Sequence, residues 1–243
     1  MRGFVILRMK RRESLRKNCA KSVPLAGRNR TVFLGAKAVR LPELWRIAAI
    51  CSCYCYSQGF YQAWLQTYLV RARGFTEAAL VLSSLTYAVG ASANALGGVT
   101  GDWLVRRHGL RNARRWIGFA GLSSAALFFA ATIYAPSGKW ALVFLSLAYG
   151  SYLFQQPNMC AICLDVGRRN SGAVFGFMNT AGSAASALSA VVFGTLVGRF
   201  GNYSVPFVPM IALLGVAALL WLQVDPTREL FPEEVPAELV VAR

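Results

Sequence analysis

Between Leu44 and Val224 the chain consists of six long apolar blocks separated by short joints, and this pattern limits what it can fold into more than any other feature. The blocks run over Leu44–Val70, Ala78–Thr100, Trp116–Tyr134, Trp140–Leu164, Ala173–Val197 and Tyr203–Val224. A helix of about 20 apolar residues, rising about 1.5 Å per residue, matches a hydrocarbon core about 30 Å thick. The chain is 56% hydrophobic and only 15% charged, whereas soluble domains carry roughly 25% charged residues. One soluble core of this size would not hide the excess. The expectation is an all-α polytopic membrane protein, a six-transmembrane-helix bundle whose first partner is the lipid bilayer.

The net charge of +16 would suggest nucleic acid on a soluble protein, but its placement argues otherwise. Half of the basic residues precede Ala48, with no aromatic interleaving, and the rest lie mostly at the joints. A nucleic-acid partner is therefore not expected. Residues 1–43 read as a basic cytoplasmic arm or loop, 44–224 as the transmembrane domain and 225–243 as an acidic cytoplasmic tail. An Arg-rich, acid-poor start also fits a transit peptide. Pro24, Gly27, Gly35 and Pro42 argue against one continuous helix there. One set of joints holds Arg106, Arg107, Arg111, Arg114, Arg115, Arg168 and Arg169; the other holds Arg71, Arg73, Lys139 and Arg199. Basic loops stay inside, so the richer set and both termini are expected in the cytoplasm of a cell whose inner or plasma membrane holds the protein.

Polarity is uneven among the blocks. The first carries Tyr54, Gln58, Tyr61 and Trp64, and the fourth carries Tyr149, Tyr152, Gln155 and Gln156. Tyr54, Gln58 and Tyr61 share one helical face, as do Tyr149, Tyr152 and Gln156. Buried amides and phenols need partners or water. These faces suggest a wet cavity between two inverted triplets of helices, with interhelical hydrogen bonding as the simpler alternative. Small residues recur every fourth position through Gly90, Asn94, Gly98 and Asp102, and again through Gly182, Ser186, Ala190, Gly194 and Gly198. Such rows let backbones approach, so Gly182, Ser186 and Gly194 are expected to pack helices. Asn179 is a mid-membrane amide suited either to a substrate or to a neighbouring helix.

Asp102, Arg106, Arg107 and Gly109 follow Gly98 at the end of the second block. A carboxylate there can pair with arginine and favour one state of a rocking bundle. No acidic residue lies deep in a block, so a coupling carboxylate would have to come from elsewhere. His108 is the only histidine, and no metal site or cofactor is implied. Cys160 and Cys163 have redox spacing without a soluble context. Cys51, Cys53 and Cys55 fan around a helix, so the three cannot share one face.

The stretch Gly97–Gly109 resembles the variant cytoplasmic loop motif of the major facilitator superfamily. It is similar in particular to the anion:cation symporters, which include sialin, hexuronate and phthalate permeases. Trp64–Val70 with Arg73–Thr76 resembles that family's seventh helix and following loop. Asp165, with Ser171–Asn179 and Gly182, resembles its tenth-to-eleventh helix region. The resemblance covers Leu41–Val224 and implies the C-terminal half of a major facilitator fold, with its 3+3 inverted repeat. It further implies a small organic anion or sugar acid as substrate, a proton or sodium as coupling ion, and a cavity lined by Tyr61, Trp64, Gln156 and Asn179. Gln66 departs from a common proline, and the arm before Leu41 does not resemble the other half. By this reading the chain has one wall of a transport cavity and is incomplete or inactive without an N-terminal half or self-pairing. The sequence leaves two other classes open: a non-transporting membrane adaptor working through the basic arm, and a membrane thiol redox enzyme using Cys160 and Cys163.

Overall fold

The computed structural model describes residues 41–76, 81–228 and 230. The basic arm up to residue 40, the expected start of the second helix at Ala78 and nearly all of the acidic tail lie outside the described residues.

Every regular element among the described residues is helical. Helices α1 (Pro42–Ala63) and α2 (Leu65–Arg73) form one column interrupted at Trp64. The ladder survives the interruption, because Trp64 N donates to the Phe60 carbonyl and Tyr68 N to the Trp64 carbonyl, each at 2.8 Å. Pro42 opens α1 with a preset φ and no amide to satisfy, and Glu43 places an acid in the first turn. Gly74 ends α2 at φ +70°, its amide returning to the Leu69 and Val70 carbonyls.

The second helix, α3, spans Ser83–His108, and α4 spans Leu110–Ile133. Only Gly109 separates them, at φ +79°. A Cβ there would meet nothing within 4 Å, so backbone conformation alone requires glycine. Helix α5 (Gly138–Gly167) passes through a short 3-10 turn (Arg168–Asn170) into α6 (Ser171–Phe200), and α7 covers Phe207–Gln223. Pro157 lies inside α5 and removes one ladder donor there.

Contacts at the helix ends fix the directions. At one end Arg111 pairs with Asp225 at 3.6 Å, Arg114 with Asp165 at 3.0 Å and Arg228 with Glu43 at 3.9 Å. This end collects the starts of α1, α4 and α6 and the ends of α3, α5 and α7. At the other end Arg73 donates to the Thr132 and Ala135 carbonyls at 2.6 and 3.1 Å, binding the end of α2 to the end of α4. Neighbours in sequence therefore run antiparallel. The richer basic set of the sequence lies together at the first end.

The most extensive pairings are α3 with α5 and α1 with α6, followed by α4 with α5 and α4 with α7. Phe60 sits fully buried at the centre, its ring 5.1–6.3 Å from those of Tyr61, Tyr68, Phe129, Phe193 and Phe207. The outside is apolar: Leu127 is 70% exposed, Val191 67% and Leu219 60%. Large apolar side chains facing outward on helix after helix need a hydrocarbon solvent. Trp45, Trp103 and Trp116 are exposed at the basic end, and Tyr134 and Trp140 at the opposite end. Amphipathic rings in two girdles suit the two faces of a bilayer.

Two stretches pass a test of length and hydropathy for crossing a membrane: α4 at mean hydropathy 1.7, and Gly138–Phe200, which holds α5 and α6, at 1.5. Only 17% of the best window in the latter is buried, too little for a soluble core helix. The amides, hydroxyls and glycines of α1 and α3 dilute their hydropathy, and α7 is shorter. Of the six spans expected from the sequence, α4 and the α5–α6 stretch are the ones with this length and hydropathy among the described residues.

Candidate functional site

The close approach of α1 and α6 creates the site. A side chain on Gly59 would run into the Ser186 carbonyl, and a Cβ on Gly182 would stand 2.8 Å from Cys55 Sγ. Beside these contacts the helices leave a groove of about 460 Å³, lined by Gln58, Gln62, Asn179, Ser183, Ser186 and Cys55, among others. Ser186 Oγ donates to Gln62 Oε1 at 3.4 Å across it. Among the described residues no ionised side chain lines the groove. Its wall presents amides and hydroxyls, which can donate to and accept from an oxygen-rich solute.

The structure brings together Gln58, Asn179, Gly182 and Ser186 from among the residues singled out in the sequence. Tyr54, Tyr61 and Tyr152 instead lie buried in the bundle. The Tyr61 hydroxyl donates to the Leu145 carbonyl at 2.8 Å, and its ring centre lies 4.5 Å from that of Tyr149. Tyr54 and Tyr152 follow at 6.2 Å. Rings thus occupy the space between the first and fourth helices where the sequence suggested a wet cavity, and the groove opens between the first and fifth. Aromatic side chains on facing helices gain more from burial against each other than from lining water.

Trp64 Nε1 donates to the Ala190 carbonyl at 2.9 Å, and its ring lies 5.0 Å from Phe193. Gly194 makes room for that indole, since a Cβ there would lie 2.9 Å from Trp64 Cζ2. Gln156 Oε1 accepts from Asn94 Nδ2 at 3.3 Å, tying α5 to α3.

The loop motif is spread over the basic end. Gly98 has only Pro157 Cβ near its own Cβ position, at 3.9 Å, whereas a side chain on Gly97 would run into the Phe154 carbonyl. Asp102, Arg106 and Arg107 are exposed. Arg107 lies over the Trp103 ring at 5.4 Å. Among the described residues Asp102 makes no ion pair. The buried polar contact instead joins the start of α4 to the end of α5: Arg114 Nε donates to Asp165 Oδ2 at 3.0 Å and Arg114 Nη1 to Asn158 Oδ1 at 3.2 Å, while Asn158 Nδ2 returns a bond to the Arg114 carbonyl at 2.9 Å. The cysteines among the described residues are free thiols. Cys163 is almost wholly buried, its Sγ 3.4 Å from Met178 Sδ and 3.5 Å from the Met159 carbonyl.

The family model of the major facilitator superfamily matches residues 3–190. The chain belongs to the major facilitator superfamily. This family is one of transporters, not enzymes. The match reaches back into the arm, which the resemblance seen in the sequence did not include, and stops before α7. A protein of Cupriavidus necator described as "probable sulfoacetate transporter" is 35% identical over 186 residues, covering 76% of this chain and 43% of that protein. A chloroplastic ascorbate transporter of Arabidopsis thaliana is 29% identical over 187 residues, covering 74% and 34%. A "probable galactarate/D-glucarate transporter" of Escherichia coli is 28% identical over 173 residues, covering 68% and 38%. The chain thus spans less than half the length of each of these relatives.

Gln62, Ser183 and Cys55 were not among the site residues expected from sequence, yet all line the groove. A signal was present. Cys55, Gly59 and Ala63 recur at every fourth position, Gln58 and Gln62 do so beside them, and Asn179, Ser183 and Ala187 do so on the facing helix. Two polar stripes flanked by small residues mark a place where helices approach and then leave room.

Proposed function

We propose that this chain forms the C-terminal six-helix half of an anion:cation symporter, with the groove between α1 and α6 as one wall of its substrate cavity. The observation that carries the reading is the lining: Gln58, Gln62, Asn179, Ser183 and Ser186 offer neutral donors and acceptors to a small solute, with no charge of their own. Such a wall binds the oxygens of a sulfonate, a carboxylate or a polyol and leaves charge recognition to the facing bundle. The relatives' names, covering sulfoacetate, ascorbate and sugar diacids, describe solutes of that chemistry. A proton or sodium ion is the coupling partner.

The pairing pattern supports a 3+3 inverted repeat. Exchanging the first three helices with the last three turns the α1–α6 pairing into α5–α3, and these are the two most extensive pairings in the bundle. Alternating access needs two such bundles rocking about a central site. An N-terminal half supplies the other wall. The basic end, with both termini, faces the cytoplasm under the positive-inside rule.

Uptake of labelled sulfoacetate and D-glucarate into vesicles tests this reading. Vesicles with this chain alone should show none, and vesicles with a complementary half should show uptake that Gln58→Ala and Asn179→Ala each reduce at least about tenfold, a loss of roughly 1.4 kcal/mol per variant. Uptake by the lone chain, or indifference to both substitutions, contradicts it.

A further inference from the structure

The end of the bundle opposite the basic set holds a second cavity, which the transport reading does not use. It occupies about 370 Å³ between the end of α2, the end of α4 and the turn joining α6 to α7. Tyr68, Arg73, Asn202, Tyr203 and Ser204 line it, and among the described residues Arg73 is its one charged lining residue. Arg73 Nε donates to the Tyr68 hydroxyl at 2.8 Å, Nη1 to the Ala135 carbonyl at 3.1 Å and Nη2 to the Thr132 carbonyl at 2.6 Å. These bonds hold the guanidinium in one place. Gly138 closes on the backbone behind it, where a Cβ would lie 2.9 Å from the Arg73 carbonyl.

Each of those acceptors is neutral, and among the described residues no carboxylate pairs with Arg73. Carbonyls at a helix end carry about half a negative charge, so the guanidinium keeps a positive surplus. Three of its five N–H groups are engaged and two remain. The Tyr68 hydroxyl accepts from Arg73 and so keeps its own proton to donate. Asn202 Oδ1 is taken by the Ser204 amide at 2.7 Å, a turn that leaves Asn202 Nδ2 as a donor. The Tyr203 and Ser204 hydroxyls add two more. Donors from three elements thus surround one uncompensated cation. Tyr134 and Trp140, 83% and 53% exposed at the same end, place the cavity at headgroup depth.

We propose that this cavity binds a phosphate group, with Arg73 as its counter-ion and Tyr68 and Asn202 as further donors. Several oxygens around one anionic centre match donors that arrive from different directions, and charge-assisted bonds to a guanidinium are the strong ones. At this depth the group comes from a phospholipid headgroup or from inorganic phosphate in the adjoining solution. The cavity shares no lining residue with the groove between α1 and α6, so the inference stands whether or not that groove carries anions.

The probes are inorganic phosphate and dihexanoyl phosphatidylglycerol, each titrated at constant ionic strength into the purified full chain in a phosphate-free detergent and followed by calorimetry. Saturation at one phosphate group per chain is expected. Saturation by the lipid alone makes a headgroup the ligand, and saturation by inorganic phosphate makes it the free anion. Arg73→Gln should weaken binding at least about tenfold. Asn202→Ala leaves the Arg73 bonds to α4 in place and should weaken it about threefold or more. Arg199→Gln, on an exposed residue outside the cavity, should leave it unchanged. Thermal unfolding of each variant separates loss of the site from loss of the fold, and if Arg73→Gln does not fold, Asn202→Ala decides. Failure of both probes to saturate, or unchanged affinity in a folded Arg73→Gln or in Asn202→Ala, overturns the proposal. Loss in Asn179→Ala with none in Arg73→Gln would place the phosphate in the groove and overturn it too.

Discussion

Arg114 and Asp165 lie 3.0 Å apart at the basic end, with side chains only 10% and 21% exposed. They join the start of α4 to the end of α5, and Asn158 takes a further guanidinium nitrogen. Breaking a buried pair leaves one charge without compensation at a cost of roughly 3–5 kcal/mol, less where water still reaches one partner. Arg114→Ala should therefore destabilise the bundle by about 2 kcal/mol, measured by unfolding in detergent. Arg114→Lys should recover only part, because an ammonium cannot serve Asp165 and Asn158 with a fixed fork. Equal stability of Arg114→Ala and the unsubstituted chain would remove the contact's claimed role.

Gly97 and Gly98 are neighbours with opposite environments. A side chain on Gly97 would meet the Phe154 carbonyl, whereas Gly98 has free room. Gly97→Ala should cost about 1–3 kcal/mol by forcing α3 and α5 apart. Gly98→Ala should be neutral or stabilising by up to about 1 kcal/mol, since alanine suits a helix better. Comparing melting temperatures of the two variants checks this; equal losses would contradict the helix register described above.

This pair also shows what the sequence reveals and what it withholds. Spacing of four marks Gly90, Asn94, Gly98 and Asp102 as one row, yet contact falls on Gly90 and Gly97, which are seven apart. A row of small residues identifies a face, but the crossing helix decides which positions meet backbone. Helix ends were also misplaced for a physical reason. Apolar blocks report where lipid is, while hydrogen-bond ladders continue beyond it, so α3 and α4 run on through Arg106, Arg107, Arg111, Arg114 and Arg115 until Gly109 breaks them. At α7 the error is reversed: turns precede Pro206, and the helix begins at Phe207 and not Tyr203. Gln58 and Asn179 were legible as polar residues in apolar helices. That they face each other depends on which helices pair, and periodicity within one helix does not carry that.

Asp225 lies beyond α7, beside Arg111, and Arg115 Nε donates to the neighbouring Val224 carbonyl at 2.7 Å. The Thr227 hydroxyl and amide, followed by Arg111 and Arg115, hold its carboxyl below the ordinary 3.8. A carboxyl lowered on folding stabilises the folded form above its unfolded value, and the contribution disappears as pH falls through the lowered value. The attachment of this segment should thus be unaffected between pH 7 and pH 5 and weaken below 3.8, by a small amount because its cationic partner Arg111 is 54% exposed and 3.6 Å away. Amide exchange at Thr227 as a function of pH measures this. In Asp225→Asn the acid-dependent step should be absent, and its persistence would assign the step to another group.

The central claim, that lipid surrounds this bundle while water enters the groove between α1 and α6, is tested most directly by cysteine accessibility in intact membranes. In a background with the native cysteines replaced, Ser183→Cys in the groove and Leu127→Cys and Leu219→Cys on the outer face are treated with a charged, water-soluble maleimide. Leu127 and Leu219 are 70% and 60% exposed, so burial in protein does not protect them. Rapid modification at position 183 with none at 127 and 219 is the predicted result. Modification of 127 and 219 as fast as 183 would show water on the outer face and contradict the account.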